Sequence, residues 1–105
     1  KGELHIVGMN SNTVRKITKD GKIVTVAGRG YQGYSGDGGP APKAMLKSPV
    51  AIAFDSKNNM YISDMGNNRI RKVDSNGIIS TFAGTGNFGW AQDGETVEIY
   101  LHKFP

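Results

Sequence analysis

Gly28-x-Gly30-x-x-Gly33 has the spacing at which backbone N–H groups cradle a phosphate, and Gly84-x-Gly86-x-x-Gly89 shows it again. The dinucleotide fingerprint needs a parallel strand in front of it and a helix opening on its last glycine. Here each run follows an antiparallel meander and is trailed by more glycines, so both read as turns that require positive φ. Asp37 and Asp93 each precede a glycine. A calcium loop needs several oxygen ligands at short alternate spacing, which one aspartate per loop does not supply. Each is expected instead to accept N–H groups of its own turn. His5 and His102 are the only histidines, and there is no cysteine. No Ser-His-Asp set, HExxH or thiolate spacing exists, so the sequence predicts no catalytic residue, metal ligand or cofactor within this chain.

The remaining candidates are binding residues. Tyr31, Tyr34, Phe88 and Trp90 stand in the two long links, where they either fold down over the blade junction and are buried or, exposed on the rim, make hot spots for a protein partner. Arg15, Lys16, Arg71 and Lys72 form a candidate basic surface for RNA phosphates. The net charge of +4 permits such a partner without requiring it. Asp64, Asn68 and Arg69 are read as turn residues, with Asp64 bonding its turn or pairing with Arg69. Arg69 and Arg71 are expected to pair with carboxylates or to lie along neighbouring strands with their stems over apolar surface.

An internal repeat positions these residues. Leu4 to Gly28 aligns without a gap on Met60 to Gly84: Arg15 with Arg71, Lys16 with Lys72, Gly21 with Gly77 and Ala27 with Ala83, each pair 56 positions apart. Tyr34 and Trp90 are equivalent in the same register. The units run 1–56 and 57–105. Such periods mark solenoids, propellers and arrays. Fifteen glycines, few helix-favouring runs and grouped β-branched residues indicate an all-β chain.

Seven short strands are predicted: Leu4–Val7, Thr13–Thr18, Lys22–Ala27, Val50–Phe54, Met60–Ser63, Arg69–Val73 and Ile78–Ala83. Asp20-Gly21 and Asn76-Gly77 are hairpin signals. Lys22–Ala27 is apolar on both faces, as in a sheet covered on both sides. The long link Gly28 to Ser48 is given one helical turn within Pro42–Leu46. Four-stranded meanders in tandem are propeller blades, and alternating strand directions bring the turn after Met60–Ser63 and the long links to one rim. Under two blades are present, so the chain is expected to be part of a larger ring or to close one with other copies. No apolar run approaches the ~20 residues of a membrane helix, and no membrane insertion is expected.

Pro49, Tyr61, Asp64, Asn68, Arg69, Ile70 and Gly77 match the pattern of the NHL-repeat family, which this chain resembles over nearly its whole length. The run Gly33-Tyr34-Ser35-Gly36-Asp37-Gly38-Gly39-Pro40-Ala41 is similar to links in bacterial surface proteins and in animal cell-surface proteins of the teneurin type. The first unit departs, with Gly8 for Asp64 and His5 for Tyr61, and the second link carries Trp90-Ala91-Gln92-Asp93-Gly94-Glu95 instead of the glycine-rich run. The resemblance implies a partial NHL-type β-propeller that serves as a non-catalytic protein-interaction or ligand-binding module. Relatives that bind RNA, and propeller enzymes of metal-dependent lyase or hydrolase type, supply the alternatives.

Overall fold

The computed structural model describes residues 3–84. The seven expected strands are present: β1 (Leu4–Gly8), β2 (Thr13–Ile17), β3 (Ile23–Ala27), β4 (Ala51–Phe54), β5 (Met60–Asp64), β6 (Arg69–Val73) and β7 (Ile79–Ala83). They form a three-stranded sheet, β1-β2-β3, and a four-stranded sheet, β4-β5-β6-β7, with every neighbouring pair antiparallel. Both sheets are open meanders of the kind that build a propeller.

The two sheets repeat their local devices. Asn12 and Asn68 both take left-handed conformations, at φ 59° and 52°. Asparagine tolerates this region because its short side chain bonds locally. Beyond each asparagine the register shifts, between Val14 and Arg15 in one sheet and between Ile70 and Arg71 in the other. Asp74 Oδ1 accepts the N–H groups of Asn76 and Ile78 at 2.9 and 3.0 Å, closing the β6–β7 turn. Thr18 stands at the equivalent place, and its Oγ1 accepts the Lys22 N–H at 3.1 Å. Two different side chains thus satisfy the same turn donor.

β5 and β6 show how pairing sets the faces. Ile62 lies opposite Ile52 and Arg71, and Met60 opposite Phe54 and Val73. Met60, Ile62, Val73 and Ile79 face the first sheet and join Val14, Ala27, Ala41, Ala44 and Leu46 in one buried cluster. Three of those nine residues come from the link, so the link is core material and not a surface loop. Its helical segment is a single 3-10 turn at Ala41–Lys43, slightly earlier than the expected Pro42–Leu46. Pro40 leads in with an extended backbone, and Ala44 bonds back to the Ala41 carbonyl at 3.1 Å. The link also lines the outer edge of β7: Gly38 N–H donates to the Ile79 carbonyl at 2.8 Å, and Ile79 N–H to the Gly39 carbonyl at 3.1 Å. Cover on both faces, expected for β3, reaches Val26 and Ala27 but leaves Ile23 and Val24 exposed.

Gly28 packs where no side chain fits. At φ 87°, a Cβ there would stand 2.3 Å from the Asn12 carbonyl oxygen and 3.0 Å from Thr13 Cα. Gly21, at φ 85°, has open space around it. Gly21→Ala is expected to cost about 1 kcal/mol from backbone strain alone. Gly28→Ala adds backbone overlap and is expected to cost roughly 2–5 kcal/mol. Urea denaturation of the two variants measures the gap, and equal midpoints would remove the close-approach argument.

Asp55 closes the β4–β5 turn. Its Oδ1 accepts the Lys57 and Asn59 N–H groups, both at 2.9 Å, and its Oδ2 accepts Asn59 Nδ2 at 2.9 Å and the Tyr61 hydroxyl at 3.0 Å. The Asn59 side chain and N–H are the largest causes that lower this carboxyl to about 2. The unfolded value is about 3.9. Because the folded value is the lower one, the carboxylate contributes stability above about pH 4 and loses it as the pH falls towards 2. Asp55→Asn is expected to flatten the fall in stability across that window, read as urea midpoints against pH. A fall as steep as in the unchanged chain would dismiss the Asp55 account.

Candidate interaction surface

The link, the β5–β6 turn and β7 meet around one guanidinium. Arg71 is fully buried. All five of its N–H donors are used. Nη1 donates to Asp64 Oδ2 at 2.9 Å and to the Met45 carbonyl at 3.0 Å. Nη2 donates to the Ser35 carbonyl and to Asp37 Oδ1, both at 2.9 Å, and Nε donates to Asp37 Oδ1 at 3.2 Å. Asp64, also fully buried, accepts the Lys47 N–H at 2.7 Å and Asn67 Nδ2 at 2.8 Å. Burial pushes its carboxyl above the usual range, against the pull of the Asn67, Lys47 and Arg71 donors. Asp37 is partly exposed. Desolvation raises its carboxyl, but the Thr81 hydroxyl and Arg71 outweigh that and hold it below the ordinary value.

Tyr34 lies over this cluster. Its ring is 3.9 Å from the Arg69 guanidinium carbon and 4.8 Å from that of Arg71. Thr81 Oγ1 donates to Asp37 Oδ2 at 2.5 Å, and the Tyr34 hydroxyl lies 2.5 Å from Thr81 Oγ1. Because Thr81 directs its one hydroxyl hydrogen to Asp37, the tyrosine hydroxyl is the donor in the contact with Thr81, and it also donates to Asp37 Oδ2 at 3.3 Å. Tyr34 as a residue nevertheless stays 41% exposed. Tyr31 stands further out, 68% exposed, with the Arg29 guanidinium 5.7 Å from its ring centre. The link and the β5–β6 turn share this rim, because Asn67 Nδ2 donates to the Gly33 carbonyl at 2.9 Å and Gly66 N–H to the Lys47 carbonyl at 2.8 Å.

Several expected roles change. Arg71 is not a surface cation: the register places it between sheet and link, where the backbone carbonyls and two aspartates consume it. Asp64 bonds its own turn through Asn67 Nδ2, as expected, but its ion-pair partner is Arg71 and not its register neighbour Arg69, whose guanidinium lies against the Tyr34 ring. Arg69 Nη1 also donates to the Asn67 carbonyl at 3.2 Å. Asp37 leaves its own turn uncapped and reaches Arg71, 34 positions away. Asn68 provides the left-handed residue that ends the β5–β6 turn. Arg15 is exposed, and Lys16 pairs with Glu3 at 3.1 Å. Lys72 is half-buried. Neither Arg15 nor Lys72 joins the Arg71 cluster. Phe88, Trp90 and Asp93 lie outside the described residues. Among the described residues, no group of three or more His, Cys, Asp or Glu side chains is placed to hold a metal ion, and no helix is long and apolar enough to cross a membrane. At the far end of the inter-sheet junction, a cleft of about 370 Å³ opens between His5 and Lys16 on one side and Phe54, Met60 and Asp74 on the other.

The Teneurin NHL domain family matches residues 29–96, a span that takes in the link, its clasp and the whole second sheet. The chain belongs to this family. Teneurin-3 of Mus musculus is 35% identical over 99 residues, covering 80% of this chain and 4% of that protein. Teneurin-1 of Gallus gallus is 35% identical over 75 residues, or 62% of this chain and 3% of that protein. Teneurin-m of Drosophila melanogaster reaches 46% over 55 residues, 52% of this chain and 2% of that protein. This NHL chain therefore spans a few per cent of these relatives' length. A crystal structure of a protein of unknown function from Bacteroides thetaiotaomicron superposes with a TM-score of 0.69 at 30% identity, covering 79% of this chain and 21% of that one.

The two NHL arginines 56 positions apart provide a matched test of the clasp. Arg71→Ala leaves Asp64 buried without its cation and is expected to destabilise the chain by roughly 3–5 kcal/mol. Arg15→Ala removes an exposed side chain and is expected to stay within about 0.5 kcal/mol. Equal losses in chemical denaturation would mean that the clasp does not hold the link.

Proposed function

We propose that this NHL-type chain works as a non-catalytic platform for a protein partner, which it contacts through the linker rim at Tyr31 and Tyr34. The observation that carries the reading is the state of Tyr34. The residue is 41% exposed, yet two guanidinium groups and the Thr81 hydroxyl pin its side chain. An aromatic side chain already held in one orientation loses little freedom on binding, so more of its contact energy appears as affinity. Tyr31 adds a second, more open ring beside the cation of Arg29. Aromatic and arginine side chains together are the usual composition of interface hot spots.

The RNA reading draws less support. A phosphate-binding surface needs its cations on one accessible face. Arg71 is committed inside the fold, and Arg15 and Lys16 are consecutive on β2, so they point to opposite sides of the sheet. The fold alone chooses no function.

The test uses the immobilised chain and an extract of its source, with captured proteins quantified by mass spectrometry. Tyr31→Ala is expected to weaken a specific captured partner about tenfold or more, in keeping with the loss of ~1.4 kcal/mol or more at a hot spot. Tyr34→Phe, which keeps the ring and frees it from Thr81, is expected to weaken it less. A partner held equally by the unchanged chain and Tyr31→Ala would place the contact surface elsewhere.

A further inference from the structure

We propose that the partner held at the linker rim is an acidic peptide segment, whose carboxylates pair with Arg29 and Lys47 while an apolar side chain of the same segment lies on Tyr31. The proposal rests on the reading of this rim as a protein contact and adds the chemistry of the partner. The hydrogen bonds of the link bring the three residues to one place. Arg29 N–H donates to the Ala44 carbonyl at 2.9 Å and Gly33 N–H to the Leu46 carbonyl at 3.1 Å, so the stretch around Tyr31 runs beside the stretch that leads into Lys47. Asn67 Nδ2 on the Gly33 carbonyl and Gly66 N–H on the Lys47 carbonyl tie both stretches to the β5–β6 turn. Arg29, Tyr31 and Lys47 are all exposed.

The charge that this rim turns outward has one sign. Residues 28–48 and 64–69 carry four cations, Arg29, Lys43, Lys47 and Arg69, and two carboxylates, Asp37 and Asp64. Arg71 pairs with both carboxylates from inside the fold, each at 2.9 Å, and the second oxygen of Asp37 is taken by Thr81 and Tyr34. Among the described residues, no carboxylate lies within ion-pair distance of Arg29 or Lys47, whereas Lys16 and Lys22 have Glu3 and Asp20. The Arg29 guanidinium lies over the Tyr31 ring at 5.7 Å from its centre. A guanidinium held over a ring still offers its in-plane N–H donors to a planar carboxylate. The Lys47 stem passes over Gly66, where an added Cβ would stand 2.5 Å from Lys47 Cγ. Opposite charges steer a partner in and like charges turn others away, so this rim selects an acidic one. A nucleic acid is also anionic, but it needs a longer track of cations. Arg71 is spent inside the fold and Arg15 lies on β2 of the other sheet, so neither extends the rim.

Selection of a random peptide library displayed on phage against the immobilised full chain tests this. The enriched sequences are expected to carry Asp and Glu around an apolar residue. A selected peptide, labelled and followed by fluorescence polarisation, is expected to bind about tenfold more weakly to Arg29→Glu and to Lys47→Glu. Tyr31→Ala is expected to weaken it as well. Circular dichroism checks that each variant is folded, and Lys47→Met, which keeps the stem over Gly66, replaces Lys47→Glu if that variant unfolds. No enrichment, or a neutral or basic consensus, would overturn the proposal. Peptides that need Tyr31 but ignore both charge reversals would overturn the acidic partner and leave the protein contact standing. Peptides that ignore Tyr31 would overturn the rim contact itself. Oligouridine that binds the unchanged chain, displaces the selected peptide and loses affinity with Arg29→Glu would assign the rim to RNA and overturn the peptide.

Discussion

The buried guanidinium of Arg71 is the constraint on which the rest of the described structure depends. A cation taken out of water is costly unless its partners are complete. Here two carboxylates and two backbone carbonyls answer all five donors. Those partners are spread over the link and β5, so the guanidinium is satisfied only when the link lies in one path. Ser35, Asp37 and Met45 are thereby fixed against the second sheet, and Ala41, Ala44 and Leu46 enter the core between them. The contribution is to specificity of path more than to net stability: an apolar residue in the same space would bury as well and select no route.

The same local devices serve both sheets, but the clasp does not. Left-handed asparagines, bulges and turn-closing oxygens recur because each depends on a few consecutive residues. Gly28 and Gly84 both lie where a Cβ would strike the backbone of a left-handed asparagine and the residue after it. At the clasp, Gly8 takes the place of Asp64, and Arg15 is left on the surface. One chain thus holds the repeat once with its electrostatic lock and once without it. The apolar faces are less affected, since they need only alternation of side chains along strands, which both units keep.

Structure and interaction use the same residues on the linker rim. Tyr34 covers the Arg71 cluster and still offers part of its ring to the outside, whereas Tyr31 has no comparable structural duty. A surface built in this way couples the rigidity of the link to the geometry of its aromatic rings. Membership of the Teneurin NHL family agrees with the architecture, and the family span of residues 29–96 includes both the link and the sheet it locks onto.

Much of this was legible in the residues themselves. Strand positions, hairpin turns, the 56-residue register and the NHL pattern are written in short-range order, where alternation and glycine placement report backbone conformation directly. Asp64 and Asn68 could be placed in a turn for the same reason. The partners of long side chains were not legible. Nothing within a few residues of Asp37 shows that it reaches Arg71 and leaves its own turn, because that depends on how a link of some twenty residues folds back across a sheet. Burial of Arg71, the pinning of Tyr34 and the exposure of Leu4, Ile6 and Ile23 are likewise decided by packing. The sequence determined which strands form and which way their side chains alternate; the tertiary structure decided which charges meet and which faces stay open, because both require segments remote in sequence to arrive at one place.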